Sequence, residues 1–261
     1  MTAHAFCVVD AFTDRPFAGN PAAVMLLDSF PDDDLLARIA AEHNYAETAF
    51  LVRREPGRYD LRWFTPSVEV PLCGHGTLAA AHALVSEHGE DAAVLRFETR
   101  SGALAVQRDG AGYVLDLPAD LSGRVVADAG VARAIGARPD EVIRGRFLVA
   151  AFASEAAVRA LAPDMAAVAA LDADEVIATA PGLRTDFVSR MFAPKIGIPE
   201  DPFTGSAHTI LTPYWAARFG RTTLSARQVS LRGGTAVCTL SADRVRLKGS
   251  AVTTMRGEMI F

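Results

Sequence analysis

Cysteine is scarce. Cys7, Cys73 and Cys238 are the only three in 261 residues, too few and too scattered for a disulfide framework or a zinc-ligand pattern. No run approaches the roughly 18 apolar residues that span a bilayer. No dense Lys/Arg stretch occurs, and 26 basic against 31 acidic residues leave a formal charge of −5. That excludes the basic stripe of a nucleic-acid binder. No GxGxxG opens a helix after a strand, and neither a P-loop lysine motif nor a G-x-S-x-G elbow is present. Dinucleotide, nucleotide and serine-hydrolase chemistry therefore lack their residues, and nothing suggests an iron–sulfur or haem group. The first residues carry no basic stretch and Asp10 cuts their apolar run short. No signal peptide is read, and the cytoplasm is the expected compartment. What is present is ordinary for a globular protein: 50% hydrophobic and 22% charged residues, enough chain for one large or two medium domains.

Strand-like and helix-like segments do not alternate regularly. Residues 4–9, 22–27, 48–53 and 59–64 read as strands, with a helix over about 32–42. Asp32, Asp33 and Asp34 follow Pro31 and suit the first turn of that helix, where negative charge meets the helix dipole. A second helix is expected from about Gly76 to His88, stopped by Gly89. Strands at 93–98, 103–107 and 112–117 follow, turning at Ser101-Gly102 and Asp109-Gly110. After Pro118 a similar series begins: helix 128–137, strand 145–152, helices 155–161 and 164–171, strands 174–179 and 185–192. A helix from about Ser206 to Phe219 contains Pro213, which should kink it. Strands at 227–231, 235–241, 243–248 and 251–255 close the chain. Strict β–α alternation is missing, so a doubly wound parallel sheet is excluded. The reading is α+β with a boundary near 115–120.

The two long apolar helices start alike. Leu72-Cys73-Gly74-His75-Gly76-Thr77 and Phe203-Thr204-Gly205-Ser206-Ala207-His208 each pass from a Pro-bearing loop through a Gly-polar-small turn. Glycine lets a ligand approach the backbone, and the first N–H groups of a helix have no internal partner. Two such ends facing each other would clamp an anion. Glu47 sits in Ala46-Glu47-Thr48-Ala49-Phe50, and a carboxyl group among apolar residues suits proton shuttling. His75 stands at a helix start, where an imidazole donates or accepts. His82 follows at i+7 without carboxylate partners, so no metal site is expected. A helix N-terminus lowers a thiol's pKa, which makes Cys73 a candidate nucleophile or base. Thr204 stands at the second helix start, so the repeat offers no second thiol. Asp201 is a candidate for orienting His75 or a ligand, or for complementing the helix dipole. Arg232-Gly233-Gly234 reads as a hairpin turn beside a cation.

Taken in order, Asp10-Ala11-Phe12-Thr13, Gly19-Asn20-Pro21-Ala22-Ala23-Val24 and Glu47-Thr48-Ala49-Phe50 form a specific set. Phe64-Thr65-Pro66-Ser67-Val68-Glu69-Val70, Cys73-Gly74-His75-Gly76-Thr77-Leu78, Glu200-Asp201-Pro202-Phe203-Thr204-Gly205-Ser206-Ala207-His208 and Arg232-Gly233-Gly234 continue it. Together they resemble the phenazine-biosynthesis isomerase (PhzF-like) family over residues 9–234. The resemblance implies the diaminopimelate epimerase fold: two similar domains, each a sheet wrapped around a central helix, with the active site in the cleft between them. The domains would be 1–117 and 118–261, the last residues being free to return to the first.

The resemblance also implies a cofactor-independent isomerase, usually a homodimer, acting on a small anionic metabolite. Its catalytic glutamate matches Glu47, its Gly-His histidine matches His75, and its Asp-Pro-x-Thr-Gly-Ser aspartate and serine match Asp201 and Ser206. Gly74, Gly76, Gly205 and Ser206 would bind substrate through their N–H groups. Epimerases of this fold use a cysteine at each helix start, so Thr204 points to the isomerase branch. The rivals are an amino-acid racemase using Cys73 with Glu47, and a binding protein without turnover.

Overall fold

A computed structural model describes residues 2–127 and 130–261. The chain divides into two compact units: Met1–Asp116 with Lys248–Phe261, and Leu117–Leu247. The first unit contains β1 (Ala3–Ala11), β2 (Asn20–Leu27), α1 (Asp33–His43), β3 (Glu47–Glu55), β4 (Arg58–Phe64), β5 (Glu69–Val70), α2 (Gly74–Ser86), β6 (Val94–Thr99) and β7 (Gly102–Asp109). Strand β8 (Gly112–Pro118) leads out of it. The second unit contains β9 (Arg124–Val126), α3 (Val131–Ile135), β10 (Glu141–Arg144), β11 (Leu148–Ala151), α4 (Glu155–Arg159), α5 (Met165–Ala169), β12 (Val176–Pro181), β13 (Phe187–Ala193), β14 (Ile198–Asp201), α6 (His208–Phe219), β15 (Thr223–Gln228) and β16 (Gly234–Ser241). Strand β17 (Arg244–Gly249) leads back, and β18 (Ala251–Ile260) pairs antiparallel with β1.

The repeat glimpsed in the sequence is a repeat of topology. In the first unit the pairings run β1–β2 antiparallel, β2–β3 parallel, β3–β4 antiparallel, β4–β6 parallel and β6–β7 antiparallel. In the second, β10–β11, β11–β12, β12–β13, β13–β15 and β15–β16 follow the same alternation. A short strand precedes each long helix, β5 against β4 and β14 against β13. The fold is therefore α+β with two similar halves. Helix α2 buries residues on nearly every side, from His75 through Leu84, and packs on β1, β2, β3 and β18. A helix apolar all round is one enclosed by its sheet. Strand β2 is covered on both faces, because α1 packs on Met25 and Leu27 within a cluster that includes Leu36, Ile39 and Phe50. That double cover explains its unbroken apolar run, Ala22–Leu27.

Several boundaries differ from the sequence reading. Helix α2 starts at Gly74 because Cys73 caps it, its Sγ accepting from the Gly76 N–H at 3.2 Å. Cysteine is outside the usual capping set. Helix α6 starts at His208, because Gly205–Ala207 form a tight turn with His208 N–H to Gly205 O and Thr209 N–H to Ser206 O. The expected strand 145–152 shortens to β11, because its first residues form the turn that joins it to β10, closed by Gly145 N–H to Phe147 O at 3.0 Å. Helices α4 and α5 are five residues each. At the end of α4, the Val158 carbonyl in its last turn and the Leu161 carbonyl just beyond it accept from Arg190. The last turn of the expected strand 227–231 leaves the sheet, since Ser230 Oγ donates to Pro202 O and accepts from Gly233 N–H. Of the expected helix 128–137, Val131–Ile135 is helical, while 128 and 129 lie outside the described residues. Pro213 lies inside α6, and the Thr209 carbonyl it leaves without a helical donor accepts from the Asp120 N–H at 3.0 Å.

The β1–β2 connection is the tightest backbone in the first unit. Phe12, Phe17 and Gly19 take positive φ values of 61, 66 and 64°. The buried Asp10 carboxylate holds the Phe17 N–H at 2.7 Å. A Cβ on Gly19 would stand 2.1 Å from the Ala11 carbonyl oxygen. Gly19→Ala combines that clash with a left-handed backbone, and the expected loss is about 2–4 kcal/mol. Urea unfolding of the variant checks it. An unchanged midpoint would mean that the connection relaxes freely.

Candidate active site

Three elements meet at one end of the first unit. Glu47 is the first residue of β3, in parallel register with Ala22 of β2. Asn20 opens β2, placed there by the strained β1–β2 connection. His75 lies in the first turn of α2. Glu47 Oε2 is 2.8 Å from His75 Nε2, and both side chains are buried. The Asn20 amide lies 3.1 Å from the other ring nitrogen, Nδ1. Cys73 Sγ stands 3.6 Å from Nδ1 and 3.9 Å from Nε2. Glu47, Cys73 and His75 thus form a trio with donor atoms within 4.8 Å of one another. The carboxylate that faces His75 is thus Glu47, from the start of β3.

Burial alone would lower the His75 pKa, but Cys73 and Glu47 outweigh it and hold it well above the ordinary value near 6.5. Burial pushes the Cys73 thiol up, and the Glu47 carboxylate pushes it further. The helix-start effect that would activate a thiol is thus overruled by desolvation. Gly76 has a packing role as well. A Cβ there would meet Trp63 Cδ1 at 2.9 Å and Cys73 Sγ at 3.0 Å. Its N–H, expected from the sequence to meet a ligand, is engaged by Cys73.

The second unit arranges its helix start differently. Thr204 Oγ1 donates to the buried Asp201 carboxylate. Gln228, fully buried on β15, accepts from the Thr204 N–H at 2.9 Å and donates to the Asp201 carbonyl at 2.7 Å. Ser230 fastens the next residue, Pro202. A Cβ on Gly234 would come within 2.4 Å of Phe203, so the Arg232-Gly233-Gly234 turn seats this loop. Gly205 and Ser206 lie in the turn before α6, and no bond from their N–H groups to a backbone acceptor is found among the described residues. The second histidine does no comparable work. His208 Nδ1 donates to the Thr204 carbonyl at 2.9 Å, and its ring stacks on Phe203 at 4.8 Å.

Glu47 and His75 were legible as candidates. Asn20, Gln228 and Ser230 were not given roles. For Asn20 the signal was its place in the Gly19-Asn20-Pro21 turn. For Gln228 it was a polar residue on the inward phase of an apolar strand.

Comparison with known proteins bears on family and fold. The profile of the phenazine biosynthesis-like protein family, PhzC–PhzF, matches residues 9–120 and 129–257. An uncharacterized isomerase of Pseudomonas aeruginosa is 49% identical over 255 residues, covering 97% of each chain. The crystal structure of a PhzF-family phenazine biosynthesis protein from Enterococcus faecalis matches with a TM-score of 0.96 and 42% identity, over 100% of each chain. A hydroxyproline epimerase from Agrobacterium vitis matches with a TM-score of 0.61 over 98% of this chain and 92% of its own. At 12% identity that likeness is one of fold, and it places the two halves in an epimerase-like architecture.

Burial lowers the His208 pKa to about 4, with the Thr204 carbonyl opposing. In the unfolded chain it titrates near 6.5. Its stabilising contribution is thus complete above pH 6.5 and is lost as pH falls towards 4, at about 1.4 kcal/mol per pH unit. His208→Gln should flatten that part of the stability profile. Urea midpoints at pH 7 and pH 5 for both proteins measure it, and equal pH dependence would refute the assignment.

Proposed function

We propose that this chain, which belongs to the phenazine biosynthesis-like (PhzC–PhzF) family of isomerases, moves a proton between carbons of a small carboxylate-bearing substrate, with Glu47 as the base. The Glu47 carboxylate takes a proton from a C–H bond. The electron pair left behind delocalises into a conjugated system, and the same group returns the proton at another carbon of that system. The buried contact between Glu47 and His75, 2.8 Å long, carries this reading. It fixes the carboxylate in a dry site, where a base positioned against carbon acts most strongly. His75 orients Glu47 and, with Asn20 behind it, keeps its ring in one plane.

The N–H groups of Gly74 and His75 support recognition of the substrate carboxylate, as donors at a helix N-terminus do for anions. Gly205 and Ser206 are assigned the same task and Asp201 the orientation of substrate, on the family resemblance and on the rigid loop that holds them. A homodimer is proposed on the same resemblance. A racemase reading draws on one observation, the 3.6 Å approach of Cys73 Sγ to the His75 ring, which would let the thiol act as a second acid.

Incubation of candidate unsaturated carboxylates with the protein in D₂O tests the reading. Carbon-bound deuterium identifies both substrate and position, and a ligand that binds without any exchange favours the binding-protein rival. Glu47→Gln keeps the size of the side chain and removes the base. Exchange should fall by about 10²–10⁴-fold or more, with analogue binding retained within about tenfold. Equal loss of both would make Glu47 structural. Cys73→Ser should retain most of the exchange, and a loss of three decades, about 4 kcal/mol in barrier, would favour the racemase.

A further inference from the structure

We infer that Glu47, Cys73 and His75 form a site for a borderline-soft divalent cation of the zinc class, and that occupancy of this site shuts off the carboxylate base. One carboxylate, one thiol and one imidazole make a donor set suited to zinc with a fourth position left open. In a tetrahedral shell with bonds of about 2.0–2.3 Å, donor atoms stand about 3.3–3.6 Å apart. Here His75 Nε2 is 2.8 Å from Glu47 Oε2 and 3.9 Å from Cys73 Sγ. The trio as a whole spans no more than 4.8 Å, so side-chain adjustments of up to about an ångström bring the donors to that spacing.

Charge balance favours the assembly. Binding releases the thiol proton and any proton on Nε2, leaving a 2+ cation with one thiolate, one carboxylate and a neutral imidazole. The cluster is neutral overall, which suits a buried position where an isolated charge would be costly. The positive end of α2 would repel a bare cation but stabilises the thiolate that comes with it, and the Gly76 N–H already points at Sγ. The Asn20 amide, 3.1 Å from Nδ1, stands where metal-bound histidines keep an outer hydrogen-bond partner. Rotating the amide presents its carbonyl oxygen to an Nδ1–H. Cys7 and Cys238 are buried elsewhere, in strands β1 and β16, and the trio contains only Cys73.

For binding, zinc alone is the probe and no substrate is needed, so that result is independent of the isomerase reading. Equilibrium dialysis of the intact chain should show one equivalent bound. Zinc-edge X-ray absorption of that complex should show a sulfur scatterer at about 2.3 Å among nitrogen and oxygen at about 2.0–2.1 Å. Cys73→Ser should weaken binding by at least about 100-fold and Glu47→Gln by at least about tenfold, each scale being that of lost metal-site partners. Absence of stoichiometric binding, a shell without sulfur, or undiminished affinity in folded Cys73→Ser would each overturn the proposal. Should that variant not fold, the absorption spectrum of the unmodified chain decides alone. The shut-off rests on the isomerase reading. Exchange by the zinc-free protein should fall in step with occupancy as one equivalent of zinc is added, and undiminished exchange would overturn it. Zinc binding by a chain that shows no exchange when zinc-free would sink only the isomerase reading.

Discussion

The buried contact between Glu47 and His75 is the constraint on which the first half of the molecule is arranged. Taking a carboxylate and an imidazole out of water costs several kcal/mol per charge unless each is partnered. The partners come from three separate elements: the first residue of β3, the first turn of α2, and Asn20 at the head of β2. Parallel pairing of β2 with β3 brings Asn20 and Glu47 to the same strand ends. The enclosed helix then has to start level with them, which Cys73 secures by capping it so that it begins at Gly74, two residues before the expected start at Gly76. The left-handed Phe12 and Phe17 are part of the same requirement. Such backbone costs about 1–2 kcal/mol per residue, and the buried Asp10 carboxylate over-determines it through the Phe17 N–H.

Two halves with one topology solve two different problems at their helix starts. In each, a carboxylate lies near a small polar residue that precedes the helix: Glu47 with Cys73, and Asp201 with Thr204. The histidines part company. His75 faces a carboxylate and is held high in pKa, whereas His208 meets a backbone carbonyl and Phe203 and is held low. The duplicated sheet-and-helix frame therefore fixes where polar groups emerge and leaves their chemistry to individual residues. A repeat read from sequence carries the frame well and the roles poorly, as the second histidine illustrates.

That difference governs how much was legible. The period of apolar residues gave α1, α2, α6 and most strands, because burial imposes it. The caps and turns were misplaced where the signal was unconventional: a cysteine acting as N-cap, a three-residue turn before His208, and a hairpin closed at Gly145 between Arg144 and Arg146. The strands β5 and β14 are two and four residues long, too short to show any alternation. Glu47 and His75 stood out because their residue types are rare in apolar settings. Their partnership did not, since it joins the start of a strand to the start of a helix across the intervening β4 and β5, and no local periodicity encodes such a contact. Asn20, Gln228 and Ser230 act through hydrogen bonds to distant backbone or ring atoms, and such contacts leave no periodic trace.

Cys73 joins the frame to the chemistry. Its sulfur accepts the Gly76 N–H and so defines the start of α2, while its burial beside Glu47 keeps the proton on the thiol. A thiolate there would place a second negative charge against the carboxylate. The capped helix and a protonated thiol are therefore mutually consistent. Removing the sulfur would free the Gly76 N–H but leave the Glu47–His75 contact in place. Adding a divalent cation would reverse the preference, since the cation offsets both negative charges at once. One side chain thereby couples the position of the helix start, the charge of the trio and its response to metal. Thr204, hydrogen-bonded to Asp201 and Gln228, has no thiol with which to offer the same response.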